Sequence, residues 1–147
     1  MVILDSDHLS LLERDSFLVA QIIENNLSTI PSSEICATII SFEEQMRGWM
    51  AVLAKCRNLV HEVEAYEKLH GFLKRYSKMH ILDFNKEAME IFQDLKSYKL
   101  RVGTMDLKIA SIALANDALL LSRNLRDFES VPNLKVEDWT IEQAGLN

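Results

Sequence analysis

The chain alternates short apolar runs with longer stretches whose apolar residues recur every three or four positions. Val2, Ile3 and Leu4 form a run that stops at Asp5, which reads as a short buried strand. Helices follow over 7–13 and 17 to about 25, then a loop over 26–33 that contains Pro31. Residues 35–40, rich in β-branched side chains, form the second strand. Ser41 starts a long helix, with Glu44 three positions on at capping-box spacing. Its apolar stripe is Phe42, Met46, Trp49, Met50 and Leu53. A second long helix covers 59–76, with Val63, Tyr66, Leu69, Phe72 and Leu73 on one face. The two form a helical hairpin that turns near Arg57 and Asn58.

Residues 80–84 read as a third strand, and Asn85 caps a helix that runs to about Lys99. A connector at 100–103 leads to Thr104, which is expected to cap a helix over 105–116. That helix is apolar nearly all round and belongs in a core. A strand at 118–121, a polar turn at 122–127 and an edge strand at 134–136 complete the pattern. Short apolar strands alternating with helices imply an α/β fold. The expectation is a three-layer α/β/α domain spanning 1–147, with a central, mostly parallel sheet of four to five short strands.

Composition narrows the picture. Four glycines and two prolines in 147 residues argue against a turn-rich all-β fold. The start of the chain is too short and too uncharged for a signal peptide, and no apolar run approaches membrane-spanning length. Cys36 and Cys56 lack metal-ligand spacing and read as buried reduced thiols of a cytoplasmic protein. A net charge of −6 argues against non-specific nucleic-acid binding. It leaves room for a nuclease, because metal ions can neutralise an acidic site.

Four acids stand out by position: Asp5 after the first strand, Glu44 after the second, Asp106 at the start of the buried helix, and Asp127 after the fourth strand. Each has an ordinary reading as a helix cap or a first-turn carboxylate. Together they have a geometric one, since ligands of open parallel sheets bind at the carboxyl ends of the strands. The helix that feeds a parallel strand starts at that same end, so Asp106 joins the other three. Unpaired, such a cluster repels itself, and oxygen donors of this kind suit Mg²⁺ or Mn²⁺. One feature strains this arrangement: the connector at 100–103 is short for a return from the far edge. Either the preceding helix tilts or the strand order differs.

The histidines, His8, His61, His70 and His80, are scattered and indicate no zinc site. Lys99, Arg101, Lys108, Arg123 and Arg126 bracket the acids, where a phosphate backbone would need cations.

The ordered motifs resemble the PIN-domain family, in particular the VapC-type toxins of type II VapBC toxin–antitoxin systems. Leu4-Asp5-Ser6-Asp7-His8-Leu9 is similar to the opening acidic motif, with Ser6 in place of the usual threonine. In the second motif a Glu stands four residues before a Gly, which selects Glu44 before Gly48. Gly103-Thr104-Met105-Asp106 resembles the third motif. Ser122-Arg123-Asn124-Leu125-Arg126-Asp127 resembles the fourth, with Asn124 where many members carry an acid and Asp127 able to replace it.

The resemblance implies an endoribonuclease that uses Mg²⁺ or Mn²⁺ and acts on structured RNA of the tRNA or rRNA class. Asp5 and Asp106 would be the principal metal ligands, Glu44 and Asp127 would complete the site, and Ser6, Thr104 and Asn124 would support it. It also implies a cognate antitoxin, for which the apolar stripes over 42–76 would leave an exposed groove, and it allows a homodimer. Two other readings compete: a haloacid-dehalogenase-like phosphatase using Asp5, and a non-catalytic PIN scaffold that binds RNA or protein.

Overall fold

The computed structural model describes residues 1–13 and 17–141. Five strands form one wholly parallel sheet: β1 (Val2–Leu4), β2 (Ile35–Thr38), β3 (His80–Leu82), β4 (Leu119–Leu121) and β5 (Lys135–Glu137). Their order is β3-β2-β1-β4-β5. The long helices are α1 (Ser6–Glu13), α2 (Phe17–Leu27), α3 (Ile39–Lys55), α4 (Leu59–Lys78), α5 (Lys86–Ser97) and α6 (Thr104–Ala115), with a short α7 (Leu125–Phe128).

The two-residue period of the strands sorts the core into two layers. Val2 and Leu4 of β1 and Leu121 of β4 face Leu9, Ile23, Phe72 and Tyr76 of α1, α2 and α4. Ile3, Cys36 and Leu120 point the other way, onto Leu107, Ile109, Ala110 and Leu95 of α6 and α5. The sheet is therefore covered on both faces, as parallel sheets must be. The β1/β4 pairing aligns Val2 with Leu119 and Leu4 with Leu121, which keeps the sorting in register. Within α6 the buried Ser111 donates its hydroxyl to the Leu107 carbonyl at 2.7 Å, so it leaves no polar group unpaired.

The connector is long enough to return to the edge where the strands end. Six residues separate Ser97 from Thr104. At about 3.3–3.6 Å each they reach roughly 20 Å, enough to run back along a helix of 12 residues, about 18 Å long. Lys99 takes a left-handed backbone (φ 51°) that turns the chain out of α5.

Four local expectations differ from the structure. The second strand ends at Thr38, not residue 40, and α3 starts at Ile39. The cap is Thr38, whose Oγ1 accepts the Ser41 N–H at 3.0 Å, so Ser41 and Glu44 form no capping box. Helix α6 is capped by Gly103, in extended backbone; Thr104 is its exposed first residue and caps nothing. Cys36 is buried, but Cys56 is only partly so, because it sits at the open end of α3.

The cap assignment is testable by urea denaturation. Thr38→Val should cost about 1–2 kcal/mol, because it removes the acceptor of a buried N–H, while Glu44→Gln should cost nothing. An equal loss at Glu44 would restore the Ser41–Glu44 box.

Candidate active site

The chain winds outward from β1 to β2 and β3, then returns to start again at β4 and β5. The order therefore reverses between β1 and β4, and the segments that follow those strands turn to opposite faces of the sheet. In open parallel sheets this is where ligands bind. Asp5 leaves β1 at this point, and its backbone N–H donates to the Leu121 carbonyl at 3.1 Å. The Asp5 side chain is buried, and Oδ1 accepts the His8 N–H at 2.9 Å. Asp5 thus also serves as a cap for α1.

Glu44 lies one turn into α3 and is held from across the site. The Ser6 hydroxyl donates to its Oε2 at 2.6 Å. Behind it Gln45 donates to the Ser6 carbonyl and to Ser10 Oγ, and the buried Tyr76 donates its hydroxyl to Gln45. Burial holds the Tyr76 phenol well above its ordinary range, so it remains a donor.

Asp106 stands in the first turn of α6. Asn124 Nδ2 donates both to Asp106 Oδ2 at 3.2 Å and to Asp127 Oδ2 at 3.1 Å, bridging the two carboxylates. Ser122 Oγ accepts the Asn124 N–H at 3.0 Å and fixes the turn that presents this amide. The Asp106 carboxyl is held above its ordinary value of 3.8. Burial is the largest cause, followed by repulsion from Glu44, and then from Asp5 and Asp127; the Asn124 amide opposes them. Asp106 therefore feels all three of the other acids.

The arrangement differs from a finished coordination shell. Among the described residues no three His, Cys, Asp or Glu side chains form a metal-binding group. Each carboxylate has turned to a neighbouring donor: Asp5 to the His8 N–H, Glu44 to Ser6, Asp106 and Asp127 to Asn124. The donor set still fits a hard divalent ion, being all oxygen and short of positive charge.

The basic candidates divide. Arg123 makes a two-pronged bond to Asp7, at 2.7 and 2.8 Å. Lys108 lies over the rings of Phe84 and Phe92, at 5.7 and 5.9 Å from their centroids. Lys99, Arg101 and Arg126 are exposed. Arg123 and Lys108 thus have protein partners.

One residue at the site escaped the sequence reading. His8 is fully buried. Its Nε2 accepts the Trp139 N–H at 3.3 Å, and its Nδ1 stands 3.4 Å from Asp5 Oδ1. Its position three residues after a strand-ending acid, on the same helical face, was the available signal.

No family model matches the chain. The tRNA(fMet)-specific endonuclease VapC of Salmonella typhimurium is 30% identical over 118 residues, covering 78% of this chain and 80% of that protein. This chain belongs to the VapC ribonuclease family. Ribonuclease VapC2 of Rickettsia felis is 37% identical to it over 76 residues, covering 49% of this chain and 54% of that protein. The structure of VapBC2 from Rickettsia felis, bound to a DNA fragment from its promoter, superposes with a TM-score of 0.68 at 25% identity. It covers 95% of this VapC-family chain and 99% of the matched one. Membership in a nuclease family removes the phosphatase reading of Asp5.

The raised Asp106 carboxyl gives a stability prediction. A carboxyl whose folded pKa exceeds its unfolded value stabilises the fold at low pH, and that contribution is lost as pH rises through the folded value. Asp106→Asn should therefore raise the thermal midpoint of the metal-free protein, by an increment that grows as pH climbs from about 4 towards neutrality. A lower midpoint at neutral pH would mean that Asp106 serves only its helix.

Proposed function

We propose that this VapC-family chain is a divalent-metal-dependent endoribonuclease in which Asp5, Glu44, Asp106 and Asp127 form the acidic centre. The observation that carries this reading is geometric: at the point where the strand order reverses, the Asn124 amide bridges Asp106 and Asp127, while Ser6, next to Asp5, holds Glu44 from across the site. The four would hold Mg²⁺ or Mn²⁺, with Asp5 and Asp106 as the principal ligands. Such an ion lowers the pKa of a bound water and offsets charge building on the scissile phosphate.

The protein's own residues set the stage for that chemistry. His8 and the edge of β4 hold Asp5 still, from its side chain and backbone respectively. Ser6 aims Glu44 across the site. Asn124 keeps Asp106 and Asp127 together; it supplies a neutral donor where a further acid would add repulsion. Structured RNA of the tRNA or rRNA class is the proposed substrate, in keeping with the tRNA(fMet)-specific relative. No helix of the described chain is long and apolar enough to cross a membrane, and we place the activity in the cytoplasm.

The partner is an antitoxin whose amphipathic segment sits on the α3–α4 hairpin. Met50, Val63, Tyr66 and Leu73 are 43–59% exposed. Two hollows, of about 490 and 300 Å³, open beside Phe42 and Met46. Exposed apolar patches of this kind mark contact sites, and the structural neighbours include VapBC complexes.

Cleavage of total cellular RNA is expected with Mg²⁺ or Mn²⁺ and not with a chelator. Asp5→Asn and Asp106→Asn should each reduce the rate by at least about a hundredfold, the scale on which catalytic groups act. Asn124→Ala should lose less than Asp127→Ala. Metal-independent cleavage, or full activity in Asp106→Asn, would refute the assignment. For the partner, Leu73→Glu should release the co-expressed antitoxin and leave the cleavage rate intact; retention of the complex would move the contact elsewhere.

A further inference from the structure

Among the described residues, Nδ1 of His8 is the one buried side-chain nitrogen or oxygen that makes no hydrogen bond. The residue is fully buried, and an unpaired polar atom in such a place is costly. Its surroundings account for it from both ends of the ring. Nε2 meets the Trp139 N–H at 3.3 Å, and Nδ1 stands 3.4 Å from Asp5 Oδ1. Trp139 belongs to a short strap, residues 138–140, that follows β5 and lies against α1 and α2. The Trp139 carbonyl accepts the side-chain amide of Asn26 at 3.5 Å. Its N–H and C=O are therefore held by side chains of α1 and α2 in turn. The Trp139 ring packs on the core layer that contains Leu9 and Ile23. Asp138 Oδ1 accepts the N–H and the hydroxyl of Thr140 at 2.9 and 2.7 Å, which closes the strap into a turn.

We infer that His8 is a positioning residue for Asp5, anchored by this strap, an inference that rests on the metal-centre reading above. The ring is held at Nε2 and offers a hydrogen from Nδ1 to the Asp5 carboxylate. Nδ1 bears that hydrogen in either charge state. A neutral imidazole that accepts at Nε2 donates at Nδ1, and a protonated one donates at both nitrogens. In the protonated ring Nε2 faces Asp138 Oδ1 at 3.8 Å. The remaining tautomer would set a bare nitrogen against a carboxylate at one end and two hydrogens against each other at the other. The His8 backbone N–H already donates to Asp5 Oδ1 at 2.9 Å. With backbone and imidazole both directed at Oδ1, Oδ2 is left for an ion. Hydrogen bonds to a metal-binding carboxylate fix its orientation, and losing one costs about 10–100-fold in metal affinity or activity. Trp139 keeps the ring from turning away, so a contact 131 residues from His8 bears on the metal centre.

Two substitutions separate the two ends of the ring. In His8→Asn the amide stands where Nδ1 was and does not reach Trp139. In His8→Gln the amide reaches the position of Nε2 and leaves nothing at Nδ1. Mn²⁺ affinity is read on the full chain without RNA, from the electron paramagnetic resonance of free Mn²⁺, with circular dichroism to check the fold. His8→Gln should weaken Mn²⁺ binding about tenfold or more, and His8→Asn should lose less. Raised Mn²⁺ should restore RNA cleavage by His8→Gln. A histidine that only fills the core and ties down the strap would give the reverse order, with His8→Gln close to wild type, and that order would overturn the proposal. If neither variant keeps the fold, Trp139→Ala decides: it leaves His8 in place, loosens the strap and should weaken Mn²⁺ binding, whereas unchanged affinity would overturn the proposal. Asp106→Asn judges the acidic centre separately. If it binds Mn²⁺ as the wild type does, or neither binds, the metal centre itself fails and the role of His8 falls with it. If only the wild type binds, the centre stands and the His8 variants decide.

Discussion

Mutual repulsion among carboxylates is the constraint around which this fold is organised. Asp5, Glu44, Asp106 and Asp127 come from four separate elements, and each is brought to the same end of the sheet by a different stretch of buried chain. The cost shows at Asp106, whose proton is held more tightly because burial and three like charges oppose its ionisation. Such an arrangement survives folding only if the surrounding core is firm. Here that core is two-layered, with Ile3 and Leu120 fully buried on one side and Leu4 and Leu121 on the other. The donors at Ser6, Asn124 and the His8 backbone then hold each carboxylate in place without neutralising it.

The α3–α4 hairpin carries the remaining functional burden, and its two sides differ in kind. The side towards α1 mixes charged, polar and apolar groups, is bare at two glycines and reaches Ser6 and Glu44. The other is apolar and hollow. A helical pair needs only part of its surface to cover one small sheet, and here Phe72 and Tyr76 supply that contact. What remains is free for recognition, which explains why apolar side chains as large as Tyr66 and Leu73 stay exposed.

Much of this was legible in the sequence because period and position carry it. Three-residue apolar runs between helical stripes specify a parallel sheet, and the strand-then-acid pattern at Asp5 predicts an end of that sheet. The boundaries were harder. Ser41 and Glu44 have the spacing of a capping box, yet Thr38 takes the cap, because the strand ends two residues earlier than its β-branched run suggests. Thr104 has the right chemistry for a cap but follows Gly103, whose extended backbone does the work instead. His8 was hidden for another reason. Its significance depends on Trp139, which is 131 residues away in sequence, and no local pattern reports a contact of that range. The pairing of Arg123 with Asp7 was invisible for the same reason.

The four acids form a centre short of positive charge, and the proposed divalent ion would complete it. A thermal-shift titration with Mn²⁺ at neutral pH tests it most directly, since a ligand that binds only the folded state raises the midpoint with its concentration. The wild-type midpoint should climb steadily as Mn²⁺ is added, while that of Asp106→Asn starts higher and stays nearly flat. Equal shifts in both proteins, or none in either, would contradict the account.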